Sequence, residues 1–319
     1  MDDIIHKGLK RKVVIVGAGL VGSTYAYSLS QSGLADEIVL IDRNEELVKG
    51  QVLDLVHGEA FVPTVSIREG SSEDYADAQL IVITAGSAQK PGETRLQLLK
   101  KNADIVGSIA GEVSRQGSKG VMLIVSNPVD VMTWVALKSS GWERGRVIGS
   151  GTVLDSARFR YLLAKHCGID VHNVHAYILG EHGDSEFAAW SMTNVAGMVI
   201  DNYCPVCKKC SDWKSERTII EQQVRESAYH IINAKGATHF AVGLAMVRIT
   251  AAILRKQNSV MTVSVFLNGE FGLRDVCLSV PSIVTNTGVT RVIAGPLSDQ
   301  EMKSLRHSAG IIKEAIDSL

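Results

Sequence analysis

The stretch KVVIVGAGLVG, residues 12–22, joins a run of β-branched apolar residues to three glycines. The run predicts a buried strand, and the apolar spacing that follows predicts a helix. Gly17, Gly19 and Gly22 therefore form G-x-G-x-x-G at a strand-to-helix turn. The first glycine permits the turn, the second lets a pyrophosphate approach the backbone, and the third lets helix and strand pack closely. The stretch predicts a dinucleotide-binding turn.

Asp42 ends the next predicted strand, DEIVLID at residues 36–42. A carboxylate in this position accepts hydrogen bonds from the ribose hydroxyls of a dinucleotide and repels a 2′-phosphate. We therefore expect NAD, rather than NADP, as the cofactor. The alternative is that the glycines only make a tight turn and that Asp42 caps a helix.

Strands and helices alternate as far as about residue 150. The runs LIVITAG (80–86) and GVMLIVSNP (120–128) are continuously apolar, as is typical of strands buried on both faces of a parallel sheet. Further along, a long helical tract from about Glu216 to Arg255 and several β-rich segments follow. We predict an α/β protein with a doubly wound parallel-sheet (Rossmann) domain over residues 1–150 and a mixed α+β substrate or catalytic domain over residues 151–319.

Composition sets the broad class of the protein. Its 319 residues are 45% hydrophobic and 21% charged, which indicates a globular chain of two domains. The formal net charge of -1 gives no overall attraction to nucleic acid or to an anionic membrane. Because no apolar run approaches the ~20 residues that span a bilayer, we expect a cytoplasmic protein without nucleic-acid or membrane partners.

Two further segments carry candidate catalytic side chains. GEHGDSE, residues 180–186, places His182 among acids, and histidine is suited to proton transfer because its ordinary pKa lies near the working pH. VLDSARFR, residues 153–160, places Asp155 and Arg158 three residues apart at the start of a predicted helix. A buried carboxylate fixes the tautomer of a histidine, and the planar fork of arginine binds carboxylates.

These two segments, together with SNPVD (126–130) and AGSAQKPGETRLQLL (85–99), resemble the signature segments of the L-lactate and malate dehydrogenase family. The resemblance covers nearly the whole chain. It implies an NAD-dependent 2-hydroxy-acid oxidoreductase that reduces pyruvate reversibly to L-lactate. Alternatives are a malate or branched 2-hydroxy-acid dehydrogenase, or a catalytically silent NAD(H)-binding module.

Position by position, the resemblance implies that His182 is the acid and base of the reaction and that Asp155 orients it. Arg158 would bind the substrate carboxylate. Arg95, on a mobile loop, would polarise the substrate carbonyl as that loop closes and excludes water.

The same resemblance implies roles in binding and specificity. Asn127 would hydrogen-bond near the substrate carbonyl and the nicotinamide, Thr238 would line the substrate pocket, and Val242 would pack near the nicotinamide ring. Relatives similar to malate dehydrogenases carry an arginine where this chain has Gln89. A neutral amide leaves the second carboxylate of oxaloacetate without a cation, so pyruvate is the expected substrate.

Two expectations concern assembly and regulation. Arg160 and His175 match positions that contribute, in bacterial members activated by fructose 1,6-bisphosphate, to an anion site between subunits. The alternative is a structural arginine and a histidine at a strand end. The resemblance also suggests a homotetramer.

The run CPVCKKC places Cys204, Cys207 and Cys210 at a spacing that can chelate zinc or an iron–sulfur cluster. It departs from the family pattern, and no fourth ligand is obvious nearby. Redox-sensitive surface thiols and an incidental loop composition are the other interpretations. We expect no metal here or at His182.

Overall fold

The first half of the chain alternates strands and helices in a computed structural model that describes residues 10–87, 92, 94–209 and 211–319. Each strand from the glycine turn onwards is followed by a helix or a short connection that returns the chain to the same sheet. In chain order these elements are β1 (Lys12–Val16), α1 (Leu20–Ser32), β2 (Glu37–Ile41), α2 (Glu45–His57), β3 (Ser66–Glu69), β4 (Leu80–Ile83), α3 (Arg95–Arg115), β5 (Val121–Ile124), α4 (Val129–Ser140) and β6 (Val147–Gly149).

The second half contains the longer helices and many short strands. In chain order its elements are α5 (Val153–Cys167), β7 (Val174–His175), β8 (Ile178–Leu179), β9 (Phe187–Ala188), β10 (Asn194–Val195), β11 (Met198–Val199), α6 (Ile200–Cys207), α7 (Trp213–Lys235), α8 (Phe240–Leu254), β12 (Ser259–Met261), β13 (Ser264–Asn268), β14 (Arg274–Ser279), β15 (Ser282–Thr285), β16 (Gly288–Val292) and α9 (Asp299–Asp317).

The main sheet has the order β14-β13-β6-β5-β4-β1-β2-β3. Its six strands from the first half pair in parallel, and β13 and β14 extend it in the antiparallel sense. The order 3-2-1-4-5-6 within this sheet is that of a doubly wound dinucleotide-binding fold. The predicted fold class is thus confirmed. The predicted division at residue 150 stays a prediction, and strands from beyond it complete the first sheet.

The core explains why the early strands read as continuous apolar runs. Every residue of β1, β4 and β5 is buried, since helices cover both faces of the sheet. A second, smaller cluster packs α5 against the short strands and α7; Phe159 and Trp190 meet there edge to face with centroids 4.9 Å apart. Helix α5 of this cluster begins at Val153, directly after β6 of the main sheet.

The stretch DNYCPVCKKCSDWKSER, residues 201–217, is irregular in sequence and predicts an exposed excursion, but the structure differs. Residues 200–207 form α6; Ile200 is buried in the second cluster, and Cys204 is buried as well. Apolar residues at helical spacing explain this, because Ile200 and Cys204 lie four apart on one face. The helical tract predicted from about Glu216 to Arg255 consists of two helices: Gly236 ends α7 with a φ of 87°, and α8 begins at Phe240.

Within the part of the chain that the structure describes, none of the helices combines the length and the apolar character that crossing a bilayer requires.

Two glycines of the opening turn are fixed by geometry. Gly17 has a φ of 111°, in the region that side chains disfavour, and a Cβ on Gly22 would lie 1.8 Å from the carbonyl oxygen of Gly17. Gly19 is different, since no described heavy atom would lie within 4 Å of its Cβ. The turn itself therefore needs Gly17 and Gly22, whereas the space above Gly19 is free for a ligand.

This contrast predicts unequal effects on stability. Gly22→Ala should lower the free energy of unfolding by about 1–3 kcal/mol or more, because helix α1 must move away from the turn. Gly19→Ala, its matched control, should change stability by less than about 0.5 kcal/mol. Urea unfolding of both variants measures the difference, and equal losses would contradict the close-packing role of Gly22.

Candidate active site

The candidate site lies at the carboxyl ends of the parallel strands, where a doubly wound sheet places its ligands. Two cavities meet there, of about 670 Å³ and about 200 Å³, and both are lined by Asn127 and His182. The larger also includes Arg95, and the smaller includes Arg158. The residues predicted from separate segments are thus brought to one place.

The glycine turn and Asp42 form one end of the site. One carboxylate oxygen of Asp42 accepts the backbone N–H of Ala18 at 2.8 Å, and the other accepts that of Asn44 at 3.0 Å. Asp42 therefore holds the turn in place and keeps free lone pairs for ribose hydroxyls. The open space at Gly19 and the N-terminus of α1 fit a pyrophosphate, so these residues match an NAD molecule.

His182 and Asp155 form the central contact. Nδ1 of His182 donates to a carboxylate oxygen of Asp155 at 2.6 Å, because an ionised carboxylate only accepts. Asp155 is 1% exposed at the start of α5, while the His182 side chain is 28% exposed. This contact fixes the ring, so Nε2 is left to face the cavities.

The electrostatics of this pair favour a charged imidazole. Burial alone would lower the pKa of His182, but the negative charge and hydrogen bond of Asp155 outweigh it and raise the pKa to about 9. Burial would likewise raise the pKa of Asp155, yet the charges of His182 and Arg158 lower it below its usual range. At neutral pH the pair is an imidazolium and a carboxylate.

Arg158 contacts Asp155 directly. Their spacing of three residues in the sequence did not determine whether the two side chains would meet. Its Nη1 donates to the second oxygen of Asp155 at 2.7 Å, and its side chain is 14% exposed. One carboxylate therefore serves both the histidine and the arginine. Nη2 and Nε of Arg158 remain for a ligand in the smaller cavity.

The other predicted residues lie around the two cavities. Thr238, between α7 and α8, and Val242 on α8 line the smaller one beside Arg158. Arg95 was expected on a mobile loop; it is instead the first residue of α3, whose N-cap is Thr94. The helix begins there because Thr94 and Gln97 form a capping box. Gln89 lies outside the described residues.

Arg160 and His175 are also neighbours. Nε of Arg160 donates to the carbonyl of Ala176 at 3.0 Å, next to the exposed His175 on β7. Burial lowers the pKa of the Arg160 guanidinium, and the charge of Arg248 adds to this effect. Two cations thus lie near one another at this position.

The cysteine run is only partly described. Cys204 is buried, and Sγ of Cys207 donates to the carbonyl of Cys204 at 3.2 Å. Cys210 lies outside the described residues. The three interpretations of this run therefore stay predictions.

The acids around His182 have separate partners. Glu181 accepts the hydroxyl of Ser185 at 2.5 Å, and Asp184 accepts that of Tyr229 at 2.7 Å. The first contact lies within the loop, and the second ties the loop to α7. Glu186 is different, since its carboxylate lies buried beside Asp155 and His182.

Asp155, His182 and Glu186 each offer a ligand atom within 4.8 Å of the others, which is a spacing that a metal ion can use. Both oxygens of Asp155 are already bonded to Arg158 and His182. An ion would have to displace these contacts. The absence of a metal stays a prediction.

Asp130 is a site residue that the sequence analysis missed. It is 1% exposed on α4, where one oxygen accepts the backbone N–H of His182 at 2.8 Å and the other accepts the hydroxyl of Ser264 at 2.5 Å. Burial raises its pKa to about 6. Asp130 thus joins α4, β13 and the loop that carries His182. The only signal in the sequence was an acid two residues after the proline of SNPVD.

Asn102 was missed as well. It is 4% exposed on α3, its side-chain carbonyl accepts the N–H of Ser87 at 2.8 Å, and its amide donates to the carbonyl of Asn127 at 3.0 Å. A lone asparagine within a helix gave no signal in the sequence.

Comparisons with known proteins agree with this geometry. Residues 11–149 match the family model described as the lactate/malate dehydrogenase NAD binding domain, and residues 152–319 match its alpha/beta C-terminal domain. An L-lactate dehydrogenase of Treponema denticola is 58% identical over 97% of this chain and 98% of its own length. L-lactate dehydrogenase 1 of Clostridium acetobutylicum is 50% identical over 97% and 98%.

Solved structures are similar throughout their length. The ligand-bound form of a minor L-lactate dehydrogenase from Enterococcus mundtii has a TM-score of 0.94 at 42% identity, covering 98% of this chain and 99% of that one. Its ligand-unbound form has a TM-score of 0.90, covering 98% of both chains.

The chain belongs to the lactate/malate dehydrogenase family. The predicted family and the expectation of NAD as cofactor are confirmed, since residues 11–149 form the NAD-binding domain of this family.

The contacts of Asp130 predict a large effect on stability. Asp130→Ala should lower the free energy of unfolding by about 2–4 kcal/mol, because the N–H of His182 and the hydroxyl of Ser264 lose their buried acceptor. Ser264→Ala removes one donor only and should cost less. Guanidinium unfolding of both variants measures this, and an equal or smaller loss for Asp130→Ala would contradict the linking role.

Proposed function

We propose that this protein catalyses the reversible, NADH-dependent reduction of pyruvate to L-lactate, the activity for which its relatives are named. The observation that carries the proposal is the 2.6 Å contact between His182 and Asp155 where the two cavities meet. An imidazolium held at this position is the acid that reduction of a keto group needs.

NADH, held by the glycine turn and Asp42, would supply a hydride for the carbonyl carbon. His182 donates its Nε2 proton to the carbonyl oxygen, which completes the hydroxyl group, and becomes a neutral imidazole. Its Nδ1 proton stays on the hydrogen bond to Asp155, so the ring does not turn. In the reverse direction the neutral Nε2 accepts the hydroxyl proton.

The two arginines bind opposite parts of the substrate. Arg158 presents its Nε and Nη2 to the substrate carboxylate, while its Nη1 remains on Asp155. Arg95 and Asn127, which line the larger cavity with His182, stabilise negative charge on the carbonyl oxygen. These contacts orient the carbonyl between His182 and the nicotinamide.

Substrate choice belongs to the residues around the methyl group of pyruvate. Thr238 lines the smaller cavity, which at about 200 Å³ suits a small acid; Val242, on the same wall, would pack near the nicotinamide ring. Gln89, outside the described residues, offers no positive charge to a second carboxylate. We propose that this excludes oxaloacetate.

An assay that follows NADH oxidation with pyruvate, oxaloacetate and a branched 2-keto acid tests the function. The expected result is turnover with pyruvate and a kcat/KM for oxaloacetate lower by about 100-fold or more. Preference for either of the other acids would identify a malate or branched-acid enzyme, and NADH binding without turnover would identify a silent binding module.

The pKa of His182 predicts how activity depends on pH. Reduction needs the imidazolium, so kcat/KM for pyruvate should be level near neutral pH and fall above about pH 9. Asp155→Asn removes the charge that opposes burial, so the fall should move below about pH 7 and kcat should drop about 100-fold or more.

A matched control is available on the surface. Asp170 also accepts a hydrogen bond from a histidine, Nδ1 of His172, at 2.7 Å, but both side chains are exposed. Asp170→Asn should leave the pH profile unchanged. If kcat/KM of the Asp155→Asn enzyme fell above the same pH as in wild type, the proposed effect of Asp155 on the pKa of His182 would be contradicted.

Assembly and location extend the proposal. We propose a homotetramer in the cytoplasm, whose subunits bury apolar side chains now exposed on α1 and α8: Leu20, Phe240 and Leu244. The two-domain division at residue 150 belongs to the same proposal and is supported by the separate matches to residues 11–149 and 152–319.

Regulation by fructose 1,6-bisphosphate is a second proposal, which the closeness of the Arg160 and Arg248 charges favours. A phosphate bound beside Arg160 and His175 would relieve that repulsion. Initial rates at low pyruvate should rise with the bisphosphate through a lower apparent KM, and Arg160→Gln should abolish the effect. An unchanged KM and an unchanged oligomeric state would reject this regulation.

A further inference from the structure

Glu186 lies beside His182 and Asp155 but takes no part in the hydrogen bond between them. It is 5% exposed, and its carboxylate offers an atom within 4.8 Å of atoms of Asp155 and His182. Its side chain accepts no hydrogen bond from any residue that the structure describes. A buried carboxyl group without a donor is costly when charged, so its position needs an explanation.

A third cavity, which we call the rear cavity, lies against Glu186. Its volume is about 490 Å³, and it is lined by Ser185, Glu186 and Phe187 of the loop and by side chains of α7 and α9, among them Arg225, Lys303 and His307. Of the described residues, only Ile311 lines both this cavity and the 670 Å³ cavity. Glu186 therefore lies between the catalytic pair and a second opening.

Charged groups surround Glu186. Asp155 and Arg158 on α5, His182 on its own loop and Arg225 on α7 act on its carboxyl group. Asp184 on the loop, Glu221 on α7, and Lys303 and His307 on α9 line the rear cavity with it. Asp130 on α4 acts on the neighbouring His182 instead.

Two of the nearby cations already have carboxylate partners. Arg158 is bonded to Asp155, and Nη1 of Arg225 donates to Glu221 at 3.1 Å. Burial first, and then the negative charge of Asp155, raise the pKa of Glu186 to about 9. At neutral pH Glu186 is a neutral acid.

We propose that Glu186 is a positioning residue whose own charge controls the protonation state of His182, and that Glu186 exchanges its proton with solvent through the rear cavity. The proposal rests on the proposed function and extends it. When Glu186 gives up its proton to solvent in alkaline solution, a negative charge appears within 4.8 Å of a His182 ligand atom and stabilises the imidazolium. The acid form of His182 thus persists to higher pH.

Glu186→Gln tests this, because glutamine is isosteric and never carries the charge. The pH above which kcat/KM for pyruvate falls (the alkaline limb of the pH profile) should decrease by about one unit. In that alkaline range kcat/KM should therefore be about tenfold lower than in wild type. Near pH 6 the rate should change by less than about threefold, since both side chains are neutral. Glu221→Gln, an acid on the wall of the same cavity but outside the trio, should leave the limb in place.

A uniform loss at every pH, with no displacement of the limb, would overturn the proposal and indicate a purely structural residue.

An infrared titration of the substrate-free protein separates this inference from the proposed function. Wild type should show a protonated-carboxyl band near neutral pH that disappears at about pH 9 and that Glu186→Gln lacks. Arg225→Gln, which removes a cation of the rear cavity, should move the disappearance to higher pH. Absence of the band in wild type, or no displacement in Arg225→Gln, would contradict the proposal whether or not the protein reduces pyruvate.

Discussion

One buried carboxylate determines the site. Asp155 accepts hydrogen bonds from His182 on one oxygen and from Arg158 on the other, so a single side chain at the start of α5 orients both the proposed proton donor and the group proposed to bind the substrate carboxylate. An isolated charge at 1% exposure would be strongly unfavourable. Two cations compensate it, and the same compensation keeps His182 protonated. Stability and chemistry therefore depend on the same pair of contacts.

Much of this could be predicted from the sequence, because its strongest signals are local. The glycine turn, Asp42 and the continuous apolar strands are fixed by backbone geometry and burial within a few residues of one another. His182, Asp155 and Arg158 could be assigned because two short segments carry them. By contrast, the return of β13 and β14 to the first sheet is a long-range pairing, and no local pattern encodes it.

The residues that were missed share a physical reason. Asp130 and Asn102 act through partners distant in the chain: Asp130 through Ser264 and the backbone of His182, and Asn102 through Ser87 and Asn127. Buried polar groups of this kind are recognisable only when the packing around them is known. Arg95 was assigned to a loop for a related reason, since the capping box at Thr94 competes with a run rich in turn residues.

Asn102 links the two sides of the substrate cavity. Through one amide group it holds Ser87, where the segment containing Gln89 begins, and the carbonyl of Asn127; Arg95, where that segment ends, opens the same helix. Both ends of the segment are thus anchored to α3, and one anchor is shared with Asn127. The contact between His182 and Asp155 is separate from these anchors, so a change of sequence between them would leave that contact in place.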